Sequence, residues 1–149
     1  MANGDAPKLL ELLTATAREL VEVLDASGCA LSRAIGDVLV LVAEHTEDGR
    51  SLQLGQGYLV SDFPETQALV SDRVPRVLSL GDAAIDAAEA DLLRELGYDS
   101  LLMLPLEVGD DVWGLVEIYG DDGRAFSGKD VARVAPILAR TRELLGRLP

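Results

Sequence analysis

The sequence predicts an α+β fold in which a central antiparallel sheet lies between two layers of helices. Two apolar runs, residues 101–108 and 112–119, flank Gly109-Asp110-Asp111, a turn signal that joins neighbouring antiparallel strands. Neither run alternates apolar and polar residues, so both faces of this hairpin are expected to be covered. Apolar helical repeats near both ends of the chain supply helices that can cover it.

The length and composition fit a single folded domain. The chain has 149 residues, of which 48% are hydrophobic, so it can bury one core and is not expected to be disordered. No linker and no internal repeat divides it. We therefore predict one domain over residues 8–148, preceded by a flexible tail at residues 1–7.

The charge balance bears on the partners. Lys and Arg total 13 against 26 Asp and Glu, and the formal net charge of −13 repels phosphate backbones and anionic lipids. No apolar run approaches the roughly 18–20 residues that span a bilayer. The N-terminus lacks the basic start and apolar centre of a signal peptide. We expect no nucleic-acid or membrane partner and a cytoplasmic location.

Catalytic and metal-binding side chains are scarce. Cys29 and His45 are the single cysteine and the single histidine. One cysteine excludes an internal disulfide and a cysteine-based zinc site, and one histidine cannot form a histidine cluster. No Walker-type phosphate loop occurs, and a Ser-His-Asp set would require His45. We expect no metal site, no catalytic residues and no enzymatic activity.

Helical repeats occur in residues 8–26 and 128–145, where apolar side chains recur at spacings of three and four, as in a heptad seam. The positions are Leu10, Leu13, Ala17, Leu20 and Leu24, and then Val131, Val134, Leu138, Thr141, Leu145 and Leu148. These repeats predict long terminal helices and a homodimer assembled as a helix bundle. Pro136 lies within the second repeat and is expected to kink that helix.

Two short helices are predicted between the terminal ones. The first starts at Pro64, with Ser61 or Asp62 as its N-cap. The second follows Asp86, which resembles a capping box together with Glu89. Three further short strands are predicted, at residues 29–34, 38–44 and 77–80.

Three stretches resemble the GAF domain family. They are SDFP at residues 61–64, ELGYDSLLMLPL at residues 95–106 and VWGLVEIY at residues 112–119. The first is similar to a loop that enters a helix in many GAF domains and in phytochromes, and the last to the final central strand. The resemblance implies a three-layer α/β/α sandwich with an antiparallel sheet of five or six strands in the order 2-1-5-4-3. The terminal helices would cover one face, and the short helices would roof a pocket on the other.

The resemblance implies a non-catalytic, phytochrome-like sensory module that binds a small molecule and signals to a partner protein through its terminal helices. The alternative is a ligand-free module for dimerisation or protein interaction, with a collapsed pocket. The ligand and any cofactor stay unknown. Cys29 lacks the motif that accompanies covalent bilin attachment, so no covalent bilin is expected, and the NKFDE-type pattern of cyclic-nucleotide-binding GAF domains is not apparent. The GAF enzymes that reduce free methionine sulfoxide need a second cysteine.

The resemblance also indicates candidate ligand-binding residues. Asp62 stands where phytochromes carry an aspartate that reaches the chromophore pocket; the alternative is that it is the N-cap of the Pro64 helix, a role that needs no ligand. The other candidates for the pocket wall are Tyr58, Phe63, Met103, Trp113, Glu117 and Tyr119. The last four have matching strand parities, so two neighbouring strands can present them on one face; simple core packing is the alternative. A carboxylate inside a central strand requires a partner. For Glu117, the alternative to a ligand is a pair with an arginine of the roof, such as Arg94 or Arg73.

Overall fold

The computed structural model describes the backbone of residues 2–148 and the side chains of residues 8–148; Met1, the first residue of the predicted tail, lies outside them. The elements in chain order are α1 (Ala2–Leu24), β1 (Gly28–Ile35), β2 (Val38–Thr46), β3 (Gly57–Leu59), a 3-10 turn (Val60–Asp62), α2 (Pro64–Asp72), β4 (Arg76–Ser79), α3 (Ala87–Leu96), β5 (Ser100–Val108), β6 (Asp111–Gly120) and α4 (Gly128–Gly146). The predicted α+β class and the central hairpin are confirmed.

The six strands form one antiparallel sheet with the order β3-β2-β1-β6-β5-β4. The five predicted strands keep their expected neighbours, and the difference from the predicted order is β3, which adds an edge beside β2. This strand has only the three residues Gly57–Leu59, so no alternating pattern marks it in the sequence.

The core is divided into two clusters by the sheet, because successive strand residues point to opposite faces. On β5, Leu102, Leu104 and Leu106 pack beneath α1 and α4, whereas Leu101 and Met103 face α2 and α3. The layers predicted on the two faces are therefore present. The apolar runs of β5 and β6 lack alternation because helices cover both faces.

The heptad repeat of α1 packs against the protein's own sheet. Leu13, Ala17, Leu20 and Leu24 are at most 1% exposed and belong to the cluster beneath α1 and α4. Only Leu10, 50% exposed, stays open among the described positions of this repeat. The spacing that predicted a dimer seam is thus explained by packing within one chain.

The ends of the terminal helices differ in how well the sequence marks them. α1 begins at Ala2, before the predicted start at residue 8, and includes most of the stretch predicted as a tail. Gly4 and Pro7 are poor helix formers, which is why the pattern begins only after them. α4 follows Ser127, which forms a capping box with Asp130. Among residues 2–148, no helix combines the length and apolar composition needed to cross a membrane.

Candidate functional site

A cavity lies between the sheet and the pair of short helices, on the face opposite α1 and α4. The space open to the centre of a water molecule is about 40 Å³, and the groove including the solvent at its mouth measures about 610 Å³. Most lining side chains are apolar, and the polar ones converge from different elements. The lining consists of Ser32, Leu39, Leu41, Leu52, Tyr58, Phe63, Thr66, Leu78, Glu89, Leu92, Leu93, Leu96, Leu101, Met103, Glu117 and Tyr119.

The roof helix α3 begins and ends at local signals. Asp86 is its N-cap and accepts hydrogen bonds from the backbone N–H groups of Ala88 and Glu89, at 3.0 and 3.2 Å. Gly97 ends the helix in the left-handed region, with φ of 86°, which glycine adopts without strain. The predicted capping box is incomplete, however, because the Glu89 side chain turns away from its own helix.

Glu89 instead caps the neighbouring helix α2. Its Oε1 accepts hydrogen bonds from the backbone N–H groups of Glu65 and Thr66, at 2.8 and 3.1 Å. The N-cap position of α2 is Phe63, which offers no side-chain hydrogen bond, so the prediction of Ser61 or Asp62 as the cap is wrong. The Glu89 carboxylate supplies the negative charge that a helix N-terminus favours and joins the two roof helices.

The second oxygen of Glu89, Oε2, has no hydrogen-bond partner among the residues that the structure describes. The residue is 4% exposed, so this oxygen is also shielded from water. Burial raises the pKa of Glu89, while the two backbone N–H groups oppose that shift. A buried oxygen without a partner costs free energy, and a donor on a bound molecule would remove that cost.

Glu117 is the second carboxyl group of the cavity. It projects from β6, and its Oε2 accepts a hydrogen bond of 3.1 Å from the Tyr119 hydroxyl. Burial raises the pKa of Glu117 to about 7; the Tyr119 hydrogen bond opposes this shift and the charge of Glu89 adds to it. Neither predicted partner reaches Glu117, because Arg94 pairs with Asp91 and Arg73 donates to the carbonyl oxygen of Asp110. The predicted ion pair is wrong because the partner of the Glu117 carboxyl group is a neutral tyrosine hydroxyl.

The predicted site residues Tyr58, Phe63, Met103, Glu117 and Tyr119 all line the cavity. The Tyr58 hydroxyl donates to Gln53 Oε1 at 2.8 Å, and its ring meets Phe63 edge-on with the centroids 6.0 Å apart. The sulfur of Met103 accepts a hydrogen bond from Thr66 Oγ1 at 3.6 Å. These side chains come together from β3, the loop before α2, β5 and β6.

Asp62 does not line the cavity. It ends the 3-10 turn and is exposed, while its neighbour Ser61 hydrogen-bonds to Asp37. The structure therefore places Asp62 in neither of its predicted positions, at the pocket or at the helix cap.

Trp113 lies on the other side of the sheet, packed against the cluster beneath α1 and α4. The register of β5 and β6 shifts between Leu106 and Glu107, where Gly114 and Val112 are the partners and Trp113 has none. This β-bulge changes the side-chain parity along β6, so the predicted common face is wrong for Trp113. Arg33 covers its ring at 4.8 Å and donates to its carbonyl oxygen at 2.6 Å.

Sequence reasoning missed Glu89 as a cavity residue. A signal was available, because Glu89 shares its helix face with Leu93 and Leu96, at i+4 and i+7, which both line the cavity. An acidic residue on the apolar face of a short helix indicates a buried polar role. The lining contains no Lys, Arg or His among the described residues.

The comparisons with known proteins agree with this geometry. The family model described as GAF domain matches residues 8–146. The GAF domain of PixJ from Thermosynechococcus elongatus, in its blue-light absorbing form, superposes with a TM-score of 0.81 at 17% identity, over 97% of this chain and 88% of that one. A phycoerythrobilin-bound GAF domain from a cyanobacterial phytochrome gives a TM-score of 0.79 at 20% identity, over 97% and 90%.

A longer structure is similar as well. The chromophore-binding domain of the bacteriophytochrome RpBphP3 from R. palustris matches with a TM-score of 0.79 at 14% identity, over 94% of this chain and 56% of that one. No curated protein sequence matches this chain significantly.

Proposed function

This chain belongs to the GAF domain family, and we propose that it is a non-catalytic sensory module that binds a small molecule in the cavity beneath α2 and α3. Binding would be transmitted through the sheet to α1 and α4, and from there to a signalling partner protein. The observation that carries the proposal is the cavity itself, in which the buried Glu89 Oε2 has no hydrogen-bond partner within residues 8–148. Ligand sites typically combine such apolar walls with a few convergent polar groups.

The strands offer a direct route from the cavity to the terminal helices. Met103 and Glu117 face the cavity, while their neighbours Leu104 and Val116 pack beneath α1 and α4. A shift of β5 or β6 on ligand binding would therefore change the packing of the terminal helices, because close-packed cores transmit displacement.

A non-covalent ligand suits the position of the cysteine. Several similar structures are named as bilin-bound or chromophore-binding domains, but Cys29 belongs to the cluster on the opposite face of the sheet. Burial also raises the pKa of its thiol, which lowers its nucleophilicity at neutral pH. The reducing cytoplasm, which we propose as the location, suits an unpaired thiol.

Native mass spectrometry of the freshly purified protein tests this function, because a retained molecule adds its own mass to the folded species. Thermal-shift screening with tetrapyrroles, cyclic nucleotides and small apolar metabolites extends the test. We expect one class to raise the melting temperature and to change hydrogen exchange in α1 and α4. If no molecule is retained and no class of compound raises the melting temperature, the proposal is contradicted.

The second candidate is a ligand-free interaction module with a closed cavity. The small void of about 40 Å³ favours it, since pockets for drug-sized ligands typically measure about 300–1,000 Å³. The same screen separates the two candidates. A module of this kind would show no ligand response and would keep its partner binding when Met103 is replaced by the bulkier Phe, whereas a ligand site would be blocked.

A further inference from the structure

We propose that the cavity selects a small, mainly apolar ligand carrying a protonated amine or amidine, held between the carboxyl groups of Glu89 and Glu117. This inference rests on the proposed function of the cavity as a ligand site and adds the chemical class of the ligand. The two acidic side chains reach the cavity from α3 and from β6, on opposite sides of it.

Glu89 provides an acceptor oxygen that the described residues leave unused. Its Oε1 is fixed by the N–H groups of Glu65 and Thr66, so the carboxyl group cannot rotate away without uncapping α2. Its Oε2 is then held in a buried position, where none of the described residues donates a hydrogen bond to it. An ammonium or amidinium group carries several N–H donors and would satisfy this oxygen.

Glu117 provides a second acceptor with one donor already in place. The Tyr119 hydroxyl donates to Oε2 and orients the carboxyl group. The charge of Glu89 raises the pKa of Glu117, and no basic side chain lines the cavity in the described part of the chain. A cation would compensate both charges, whereas an anion would face two uncompensated carboxyl groups.

The surrounding groups reinforce this preference. The other titratable groups that face Glu117 are the hydroxyls of Tyr119 and Tyr58, with the Cys29 thiol behind the strand, and burial raises the pKa of each. Removal of a proton from any of them would add negative charge. The remaining walls are leucine, methionine and aromatic side chains, which accommodate a hydrocarbon body.

Three probes with four carbons but different head groups test the inference: butylamine, 1-butanol and butyrate. Each is titrated into ¹⁵N-labelled protein while the amide resonances of β5, β6 and α3 are followed. At pH 8 we expect butylamine to bind about ten-fold or more tightly than butyrate and more tightly than 1-butanol. Lowering the pH to 6 should weaken the binding of butylamine about ten-fold, because Glu117, whose pKa is about 7, then becomes protonated.

Variants connect the effect to the carboxyl groups. E117Q should weaken the binding of butylamine about ten-fold at pH 8 and remove most of the pH dependence of that binding. The affinity for 1-butanol should not change. E22Q, the same change at an exposed position of α1, should have no effect. E89Q keeps an acceptor for the α2 cap and should also weaken the binding of butylamine. The test therefore remains possible if one of the two variants fails to fold.

The outcomes separate this inference from the function beneath it. Equal binding of butylamine and 1-butanol, or preference for butyrate, would overturn the selection of a cation while leaving cavity binding intact. Butylamine shifts that survive in E117Q at all pH values would overturn it as well. If no probe shifts the cavity resonances, the inference falls, and the screen and native mass spectrum described above decide the proposed function separately.

Discussion

Glu117 couples the stability of the folded domain to pH. Its pKa is about 7 in the folded state, against 4.5 for an unperturbed glutamate, because it is buried. Between these two values the folded state binds the proton and the unfolded state does not. Stability therefore falls as pH rises through this range, and it levels off above about pH 7. A carboxyl group that destabilises the protein at neutral pH is typical of a site where function, rather than stability, is served.

Replacing Glu117 with Gln should remove this pH dependence. The variant keeps an acceptor for Tyr119 but cannot ionise, so its free energy of unfolding relative to the wild type should increase by about 2 kcal/mol from pH 5 to pH 8. Urea denaturation at both pH values measures the difference, and Glu22→Gln on the exposed face of α1 is the control. Parallel pH profiles for wild type and Glu117→Gln would show that the carboxyl group is well solvated.

Replacing Glu89 with Ala should destabilise the roof of the cavity. The N–H groups of Glu65 and Thr66 would lose their only side-chain acceptor in the described structure. We expect a loss of about 2 kcal/mol in the free energy of unfolding, as for a strong helix cap. Hydrogen exchange at these two amides should accelerate. Glu95→Ala, an exposed truncation on the same helix, provides the control for helix propensity; unchanged protection of both amides would contradict the capping role.

At this scale the sequence predicts side chains well where local rules apply and poorly where distant residues decide. Strand parity predicts one common face for Met103, Glu117 and Tyr119, and the family resemblance identifies it as the cavity face. The local pattern predicts Ser61 or Asp62 as the cap of α2, but Glu89 takes that role from more than twenty residues away. Local sequence carries no information on which distant carboxylate reaches a helix terminus.

Among the elements, β6 shows how a single irregularity decides which side chains face the cavity. The bulge at Trp113 brings the backbone of Gly114 close to β1, where a Cβ atom built on Gly114 would lie 2.0 Å from the carbonyl oxygen of Ser32. Only glycine fits between the two strands at this separation. The bulge therefore depends on a residue without a side chain.

Gly114→Ala should separate β1 from β6 at this point and cost about 3 kcal/mol or more in stability. The clash is with backbone, which cannot rotate away as a flexible side chain can. Thermal or urea unfolding measures the loss. Gly128→Ala is the matched control: a Cβ there meets no atom within 4 Å, and alanine favours the first turn of α4. Equal stability of Gly114→Ala and the wild type would show that the strands move apart at little cost.

The positions of α2, α3 and α4 are predictable because their end signals are local. Pro64, Asp86 with Gly97, and the Ser127 capping box lie within or beside the helices that they delimit. The bulge of β6 and the three-residue strand β3 depend on neighbouring strands. A single sequence without pairing information does not contain them.

For the whole molecule, the layered arrangement followed from the absence of alternation in the central hairpin, and the structure confirms it. The oligomeric state does not follow in the same way. A three-four repeat is satisfied equally by a partner helix and by the protein's own sheet, and in this protein Leu13 and Leu20 are buried in the single chain. Substituting either by Glu would therefore unfold the domain rather than separate a dimer.

For the predicted homodimer, the outer face of α1 remains as the candidate contact surface. This face presents Leu10, Glu11, Thr14, Ala15 and Arg18, and the small side chains of Thr14 and Ala15 permit a second helix to approach closely. Opposing this contact is the net charge of −13 on each copy, which salt screens. Association should therefore strengthen with ionic strength, unlike a dimer held by ion pairs.

Leu10→Glu should abolish this association without unfolding the domain, because Leu10 is 50% exposed. Sedimentation velocity over a range of protein and salt concentrations measures the dimer fraction, and circular dichroism checks the fold. Ile35→Glu is the matched control, because it adds the same charge at the end of β1, away from α1, where Ile35 is 63% exposed. A monomer under all conditions, or equal loss of the dimer in both variants, would exclude α1 as the dimer surface. Loss of the dimer in Leu10→Glu alone would place the contact on α1, which packs over the sheet and would therefore move when ligand binding shifts the strands.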